Sequence, residues 1–272
     1  MISVHSGFLE TAIKAALAAG NEILSVYNLK TDVEMKSDNS PLTLADKLAH
    51  DKIVEILTST NLPVLSEEGK SVSYDERKNW KLFWLADPLD GTKEFIKKND
   101  EFTVNIALIC EQNPVAGVVY APALKTLFYA EENCGSYKCE VTDFIQKLIT
   151  YKQFLNSLIE LSAALPKKIN KNKFTVVASR SHLTPETESF INDLKSKHGE
   201  IEFISSGSSL KICLVAEGVA DIYPRLAPTM EWDTAAGQAI AMCAGKSVCV
   251  YKKSEQMKYN KERLLNEWFV VN

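Results

Sequence analysis

The sequence lacks the features that mark several large classes of protein. None of its six cysteines forms a CxxC pair and its four histidines are scattered, which argues against a zinc site. No uninterrupted apolar run approaches the roughly 20 residues of a membrane-spanning helix, and the N-terminus has no basic-then-apolar signal pattern. With 31 basic against 35 acidic residues, no net positive charge favours nucleic-acid binding. We therefore expect a soluble cytoplasmic protein with reduced thiols and no nucleic-acid partner.

Two common nucleotide-binding motifs are also missing. The sequence contains no GxGxxG, so a Rossmann dinucleotide site has no support. The Gly-Lys-Ser strings at 69–71 and 245–247 lack the earlier glycine of a P-loop, because Val64 and Ile240 stand in its place. What is present is an ordinary globular composition of 272 residues with 46% hydrophobic residues, long enough for one or two domains.

Apolar periodicity predicts a mixed α/β protein. Helical spacing of apolar residues predicts an opening helix over 7–28 and a second helix from near Leu44. Later helices are predicted over 185–196, 209–218 and 234–244, and strands over 83–86, 102–110, 114–120 and 174–179. Residues 139–173 are rich in lysine, carry no motif and could hold the crossover between two lobes.

The densest chemical signal is the segment WLADPLDGT. An apolar strand runs into two carboxylates, Asp87 and Asp90, which flank Pro88 and Leu89 and precede Gly91 and Thr92. Because proline fixes its own φ, the two carboxylates can lie on one side of a tight bend. Carboxylates, a backbone carbonyl and substrate phosphate are the ligands that Mg²⁺ prefers. A short helix predicted over 93–97 would place free N–H groups beside the metal, where they can bind phosphate.

Other polar clusters allow both a structural and a functional interpretation. The pair Glu67–Glu68 follows an apolar run and is compatible with a plain charged turn. Asp233 stands where an N-cap is expected, and Asp46 has capping-box spacing from Thr43. The string GSSLK, with Ser208 and Lys211, could bind a second phosphate or a ribose, or could simply cap a helix that exposes its lysine.

The acidic clusters, taken in order, resemble the inositol monophosphatase superfamily of Mg²⁺-dependent, lithium-sensitive phosphatases. Within it, the chain is similar to bacterial CysQ-type 3'(2'),5'-bisphosphate nucleotidases. The segments that carry the resemblance are SDNSPLTLAD, LSEEG, WLADPLDGTKEFIKKNDEFTVNIALI, GVVYAP, ASRSH, GSSLKICLVAEGVADIYPR and EWDTAAG. A haloacid-dehalogenase phosphatase is disfavoured because its two aspartates are one residue apart, as in DxDGT, whereas two residues separate Asp87 from Asp90.

The resemblance implies a role for each matching residue. It implies two or three Mg²⁺ ions and the metal ligands Glu67, Asp87, the Leu89 carbonyl, Asp90 and Asp233, and it leaves Glu68 out. It implies that Asp46, Thr92 and Glu67 are catalytic, with Thr92 and Asp46 orienting the attacking water. The expected substrate contacts are Glu67, Leu89, Asp90, Gly91, Thr92, Ser179, Arg180, His182, Ser208, Lys211, Arg225 and Asp233.

The same resemblance implies a fold and an activity. The expected fold is an αβαβα layered sandwich with an N-terminal antiparallel-sheet lobe over 1–140, a C-terminal mixed-sheet lobe over 141–272, and a boundary within 135–173. The expected reaction removes the 3'-phosphate of adenosine 3',5'-bisphosphate in sulfur assimilation, with the sulfated analogue as a second candidate substrate. The alternatives are an inositol or sugar phosphatase of the same superfamily and a catalytically silent nucleotide or metal sensor. A monomer or homodimer is expected; some relatives associate peripherally with the membrane, although no anchor is encoded.

Overall fold

The structure, a computed structural model, describes residues 6–29, 41–178 and 184–272. In these ranges the helices are α1 (Ser6–Tyr27), α2 (Pro41–Leu57), α3 (Tyr74–Arg77), α4 (Thr92–Ile96), α5 (Asp143–Leu148), α6 (Leu155–Glu160), α7 (Pro185–His198), α8 (Leu210–Glu217) and α9 (Glu231–Cys243). The strands are β1 (Val64–Ser66), β2 (Leu82–Asp90), β3 (Thr103–Cys110), β4 (Asn113–Ala121), β5 (Thr126–Glu131), β6 (Gly135–Glu140), β7 (Ala163–Ala164), β8 (Phe174–Ala178), β9 (Ile201–Ser205), β10 (Tyr223–Arg225), β11 (Val248–Val250) and β12 (Phe269–Val271).

The largest sheet holds strands β1 to β7 in sequence order. Its strands pair antiparallel, apart from the parallel pair β1 and β2 at one edge. Short turns join β3 to β4 and β5 to β6, as antiparallel neighbours allow. Both faces are covered, which explains why β3 reads as the nearly continuous apolar run TVNIALIC.

Helices pack against both faces of this sheet. Residues of α1 and α2 join Trp84 and Tyr120 in one apolar core on the first face. Residues of α8 and α9 join Phe83 and Phe128 in a second core on the opposite face. A glycine lets α9 approach β4 closely, because a Cβ added at Gly117 would lie 2.4 Å from the Ala236 carbonyl oxygen.

Two small sheets and α7 complete the layers. Strands β8 and β9 pair in parallel, while β10, β12 and β11 form an antiparallel sheet in that order. A parallel bridge between Val176 and Ile222 links the two, and both residues pack with Leu194 of α7. The order of layers is α1 and α2, the large sheet, α8 and α9, the small sheets, and α7. This arrangement confirms the αβαβα expectation.

Several elements differ in extent from their prediction. Helix α2 begins at Pro41 instead of near Leu44, consistent with the preference of proline for the first helical position. Helix α9 begins three residues before the predicted Thr234, and α4 covers Thr92–Ile96 instead of 93–97. Strands β1, β5, β6 and β9 to β12 were not predicted, and 139–173 holds α5, α6 and the short strand β7.

The thiols and the apolar segments can be compared with the expectations from composition. All six cysteines lie in the described ranges and are free. Among the helices of those ranges, none combines the length and the apolar content that crossing a membrane requires. The boundary between lobes within 135–173 stays a prediction.

Candidate active site

A bulge in β2 brings two aspartates to the same face of the large sheet. Asp87 pairs with Asn105 of β3, and the next paired residue, Asp90, is opposite Thr103. Three steps along β2 thus match two steps along β3, so one extra residue is inserted. Side chains alternate along a strand, so residues three apart would normally face opposite sides; the extra residue cancels that reversal. Pro88 lies in the bulge, where its missing N–H is tolerated.

Three carboxylates from separate elements of the fold, one of them Asp87, lie close together. One carboxylate oxygen each from Glu67, Asp87 and Asp233 lies within 4.8 Å of the others, and we call these residues the acidic triad. Glu67 follows β1, Asp87 is in β2, and Asp233 is in the first turn of α9. Since β1 and β2 are parallel neighbours, the end of β1 delivers Glu67 beside Asp87. The structure thus brings three of the predicted metal ligands together, while their binding of a metal stays a prediction.

Asp233 stabilises the start of α9, but from a different helix position than its sequence context suggested. The N-cap of α9 is Met230, and Asp233 is the third residue of the helix. Its Oδ2 accepts a hydrogen bond of 2.8 Å from the Met230 amide, which leaves Oδ1 for another ligand. The structural alternative of Asp233 as the N-cap residue is therefore wrong, because the helix starts earlier and the carboxylate caps it from the N3 position. Its predicted role as a metal ligand stays a prediction.

The electrostatics of the triad favour a cation. Burial raises the pKa of Asp87 well above its usual value, and the charges of Asp90, Glu67 and Asp233 raise it further. Burial and Asp90 likewise raise the pKa of Asp233 to about 7. Carboxylates in this crowded position repel one another, so a divalent cation that prefers oxygen ligands would relieve the repulsion. The residues present therefore fit a Mg²⁺ site.

Asp90 is close to the acidic triad and also lines a neighbouring pocket. Burial raises its pKa, whereas the Lys211 ammonium, the Ser209 amide and the Arg225 guanidinium act in the opposite direction. Asp90 is thus close to both the negative triad and positive side chains. The Leu89 amide donates a 3.0 Å hydrogen bond to Asp87 Oδ1, which fixes the bulge, while the predicted metal contact of the Leu89 carbonyl stays a prediction.

Asp46 interacts electrostatically with the acidic residues that follow β1. Burial raises the pKa of Asp46 to about 7, and the carboxylates of Glu68 and Glu67 contribute to the shift. Since α2 begins at Pro41, Thr43 lies inside the first turn, so the interpretation of Thr43 and Asp46 as a capping box is wrong. Both Asp46 and Thr92 are described and no hydrogen bond joins them; their predicted pairing stays a prediction.

The pocket has a volume of about 260 Å³ and lies against Asp90 and Asp233. We call it the polar pocket. Most of the predicted substrate contacts that the structure describes line it, namely Gly91, Thr92, Ser208, Lys211 and Arg225 together with the two aspartates. The predicted contacts Ser179, Arg180 and His182 lie outside the described residues.

Lys211 and Arg225 are two of the three basic residues that line the pocket, and the third is Lys93. Lys211 is only 6% exposed, and its Nζ donates to the carbonyls of Ser208 at 2.6 Å and Ser206 at 3.3 Å. Burial lowers its pKa to about 8, although Asp90 opposes the shift. Arg225 donates to the Pro228 carbonyl at 2.8 Å, and its buried Nε has no hydrogen-bond partner in the part of the chain that the structure describes.

Gly91 has a conformation that glycine suits best. Its φ is +98°, in the left-handed region, and a Cβ there would lie 3.2 Å from both Phe102 Cα and Ser208 Cβ. The start of α4 can therefore approach Ser208 across the mouth of the polar pocket.

Sequence reasoning missed two polar residues of β3 behind the pocket. Thr103 and Asn105 are both buried, and side-chain hydrogen bonds join each of them to Ser209, a pocket-lining residue of the GSSLK string. A signal was present, since Thr103 and Asn105 occupy alternate positions of an otherwise apolar strand and so share one face.

Known proteins resemble this chain over nearly its whole length. Residues 5–269 match the model of the inositol monophosphatase family. The 3'(2'),5'-bisphosphate nucleotidase CysQ of Salmonella typhimurium is 43% identical over 97% of this chain and 98% of its own length. The corresponding nucleotidase of Escherichia coli K12 is 41% identical over 97% of this chain and 99% of its own length.

Solved structures give the same result. The crystal structure of CysQ from Bacteroides thetaiotaomicron, a bacterial member of the inositol monophosphatase family, is 53% identical. It superposes with a TM-score of 0.91 over 100% of this chain and 98% of that one. Sequence match, relatives and fold agree, and the chain belongs to the inositol monophosphatase family.

Proposed function

We propose that this protein is a Mg²⁺-dependent phosphatase of 3'(2'),5'-bisphosphate nucleotides. Its substrate is adenosine 3',5'-bisphosphate, from which it releases the 3'-phosphate to give AMP, and the sulfated analogue is a second candidate substrate. The observation that carries the proposal is an acidic triad beside a pocket lined by Lys211 and Arg225. Relatives named as nucleotidases of this type support the choice of substrate. By the same resemblance, the reaction belongs to sulfur assimilation.

The acids would hold the metal. Glu67, Asp87 and Asp233 offer one oxygen each, and the family resemblance adds Asp90 and the Leu89 carbonyl as ligands. Bound Mg²⁺ activates water as a nucleophile and offsets the negative charge of a phosphate under attack. The two or three ions of the resemblance suit so many carboxylates, which would otherwise repel one another.

Asp46 and Thr92 would orient the attacking water. A pKa of about 7 makes Asp46 a suitable proton acceptor near neutral pH. Thr92 lies at the start of α4 on the pocket wall, where its hydroxyl can reach a phosphate oxygen or the water. The oxygen of water bonds to phosphorus, the bond from phosphorus to the ribose 3'-oxygen breaks, and the proton that the water gives up ends on that oxygen.

Lys211 and Arg225 would recognise the second phosphate or the ribose. Both side chains line the polar pocket, so an anion bound there would lie beside two positive charges. A substrate with two phosphates places one at the triad and leaves the other for these cations. Inositol 1-phosphate has no second phosphate for them to bind, so we expect it to be a poorer substrate.

The test is phosphate release from adenosine 3',5'-bisphosphate, inositol 1-phosphate and fructose 1,6-bisphosphate in parallel, with Mg²⁺ and with EDTA. We expect the nucleotide to be strongly preferred and EDTA to abolish turnover. Preference for inositol phosphate would leave the metal assignment standing and refute the substrate. No turnover of any substrate with Mg²⁺ would favour a catalytically silent sensor.

A further inference from the structure

A buried row of polar side chains lies beneath the polar pocket. Thr103 is fully buried and Asn105 is 1% exposed. Along β3 they face the same side as Ala107 and Ile109, which belong to the second apolar core. A polar group in such a place costs free energy unless it is hydrogen-bonded, so its partners are informative.

The partners of Thr103 are two serines of the turn over 206–209, which leads into α8. Its Oγ1 lies 3.0 Å from Ser208 Oγ and 2.8 Å from Ser209 Oγ. Ser209 Oγ also donates to Asn105 Oδ1 at 2.7 Å. These contacts connect β3, whose residues are opposite Asp87 and Asp90, to the wall of the polar pocket.

Ser208 has a backbone conformation that needs such support. Its φ is +44°, in the left-handed region that side chains other than glycine rarely adopt. Such a conformation persists where the surroundings hold it in place. Three contacts do so here: Thr103 binds the side chain, Lys211 binds the Ser208 carbonyl, and Glu101 Oε2 accepts a 3.0 Å hydrogen bond from the preceding amide of Gly207.

We propose that Thr103 is a positioning residue for substrate binding. Its hydroxyl holds Ser208 in the left-handed conformation and so fixes the 206–209 turn and Lys211 relative to Asp90. The side chain is fully buried and does not line the pocket, so it acts through Ser208. The inference rests on the proposed function in that the polar pocket is taken as the substrate site.

Thr103→Val tests this, because it keeps the shape of the side chain and removes the hydroxyl. We expect the KM for adenosine 3',5'-bisphosphate to rise about tenfold, as for the loss of one supporting hydrogen bond. The kcat should change by less than about twofold and Mg²⁺ affinity should not change, because the substitution keeps the acidic triad and the backbone pairing of residue 103 with Asp90. Thr103→Ser should restore KM, and Thr103→Val combined with Ser208→Ala should be no worse than Ser208→Ala alone.

A matched control separates positioning from stability. Thr175 is also a buried strand threonine, 2% exposed, and it does not line the polar pocket. Thr175→Val should lower the thermal midpoint to a similar degree while leaving KM unchanged. An unchanged KM in Thr103→Val, or a Thr103→Ser variant as impaired as Thr103→Val, would overturn the inference.

A binding measurement distinguishes failure of the inference from failure of the proposed function. Inorganic phosphate, which any phosphatase of the family releases, is titrated into wild type and Thr103→Val by calorimetry with Mg²⁺ present. Weaker phosphate binding in Thr103→Val supports the inference even if the nucleotide is not a substrate. Equal binding in the two proteins overturns it, and so does a wild type that binds neither phosphate nor nucleotide.

Discussion

Asp46 is close enough to Glu67 of the acidic triad to feel its charge, and its environment suits a proton acceptor. Burial and the neighbouring carboxylates of Glu68 and Glu67 raise its pKa to about 7. Asp46→Asn removes that function without removing an oxygen of the triad, so we predict a fall in kcat of about 10²-fold or more. Magnesium affinity, measured by calorimetry, should stay within a few fold of wild type. Loss of Mg²⁺ binding in this variant would refute the assignment.

Glu131 gives a second prediction at the residue scale, this time for stability. It is 3% exposed, its Oε1 has no hydrogen-bond partner among the described residues, and burial raises its pKa to about 7. The folded protein therefore holds a proton that the unfolded chain releases near pH 4.5, so this contribution to stability is lost as pH rises from about 4.5 to 7. Glu131→Gln should remove that loss.

The measurement is urea unfolding at about pH 5 and about pH 8. Glu131→Gln should raise the free energy of unfolding by about 2 kcal/mol at the higher pH and by little at the lower one. Glu140, an exposed glutamate at the end of the neighbouring strand, provides the control, and Glu140→Gln should be neutral at both pH values. An equal effect of Glu131→Gln at the two pH values would contradict the account.

At the scale of elements, the contact between β4 and α9 depends on a glycine. A Cβ at Gly117 would lie 2.4 Å from the Ala236 carbonyl oxygen and 2.9 Å from Ala239 Cβ, so backbone would have to move. We predict that Gly117→Ala destabilises the fold by about 2–4 kcal/mol, as overpacking in a core does. Gly7→Ala is the control, since nothing lies within 4 Å of the added methyl group and alanine favours a helix. A neutral Gly117→Ala variant would show that the two elements can separate without cost.

The longer helices and four of the strands, β2, β3, β4 and β8, could be predicted from sequence, because apolar periodicity is local. The opening helix and the strands around Trp84 and Ile106 follow from it directly. Boundaries were less accessible: α9 starts at Glu231 because Met230 and Asp233 exchange capping contacts, and residue spacing alone did not distinguish N3 from N-cap. Strands β5 and β6 were missed although Thr126–Glu131 pairs on both sides.

The residues of the site likewise divide into those that sequence spacing indicates and those whose importance depends on how the chain folds. Asp87 and Asp90 were recognised because they stand three apart in one segment, and the proline between them suggested a bend. The register shift that turns both to one face depends on pairing with β3, which sequence does not reveal. Thr103 and Asn105 were missed for a related reason, since their importance depends on which turn packs above them.

At the scale of the whole molecule, the acidic triad joins parts of the chain that are far apart in sequence. Its members come from the end of β1, from β2 and from α9, so a cation bound there ties these elements together in the folded state only. We predict that saturating Mg²⁺ stabilises the wild type by about 3 kcal/mol at a hundredfold excess over its Kd. Thermal unfolding with Mg²⁺ and with EDTA measures this.

Asp87→Asn should stabilise the protein in the absence of metal and reduce its response to Mg²⁺. It removes one charge from a crowded group whose pKa burial and repulsion have raised, so we predict a higher thermal midpoint than wild type in EDTA. Mg²⁺ should then add little. A wild type that is indifferent to Mg²⁺, or a variant that still gains stability from it, would argue against a metal at this site.

The central claim is that these carboxylates hold the Mg²⁺ that phosphate hydrolysis requires. The most direct measurement is the initial rate of phosphate release from adenosine 3',5'-bisphosphate as a function of Mg²⁺ concentration, for wild type and Asp87→Asn. We predict a saturable dependence on Mg²⁺ in the wild type and a rate near background in the variant at every concentration. Turnover that survives EDTA, or an Asp87→Asn variant with the wild-type Mg²⁺ dependence, would contradict the account.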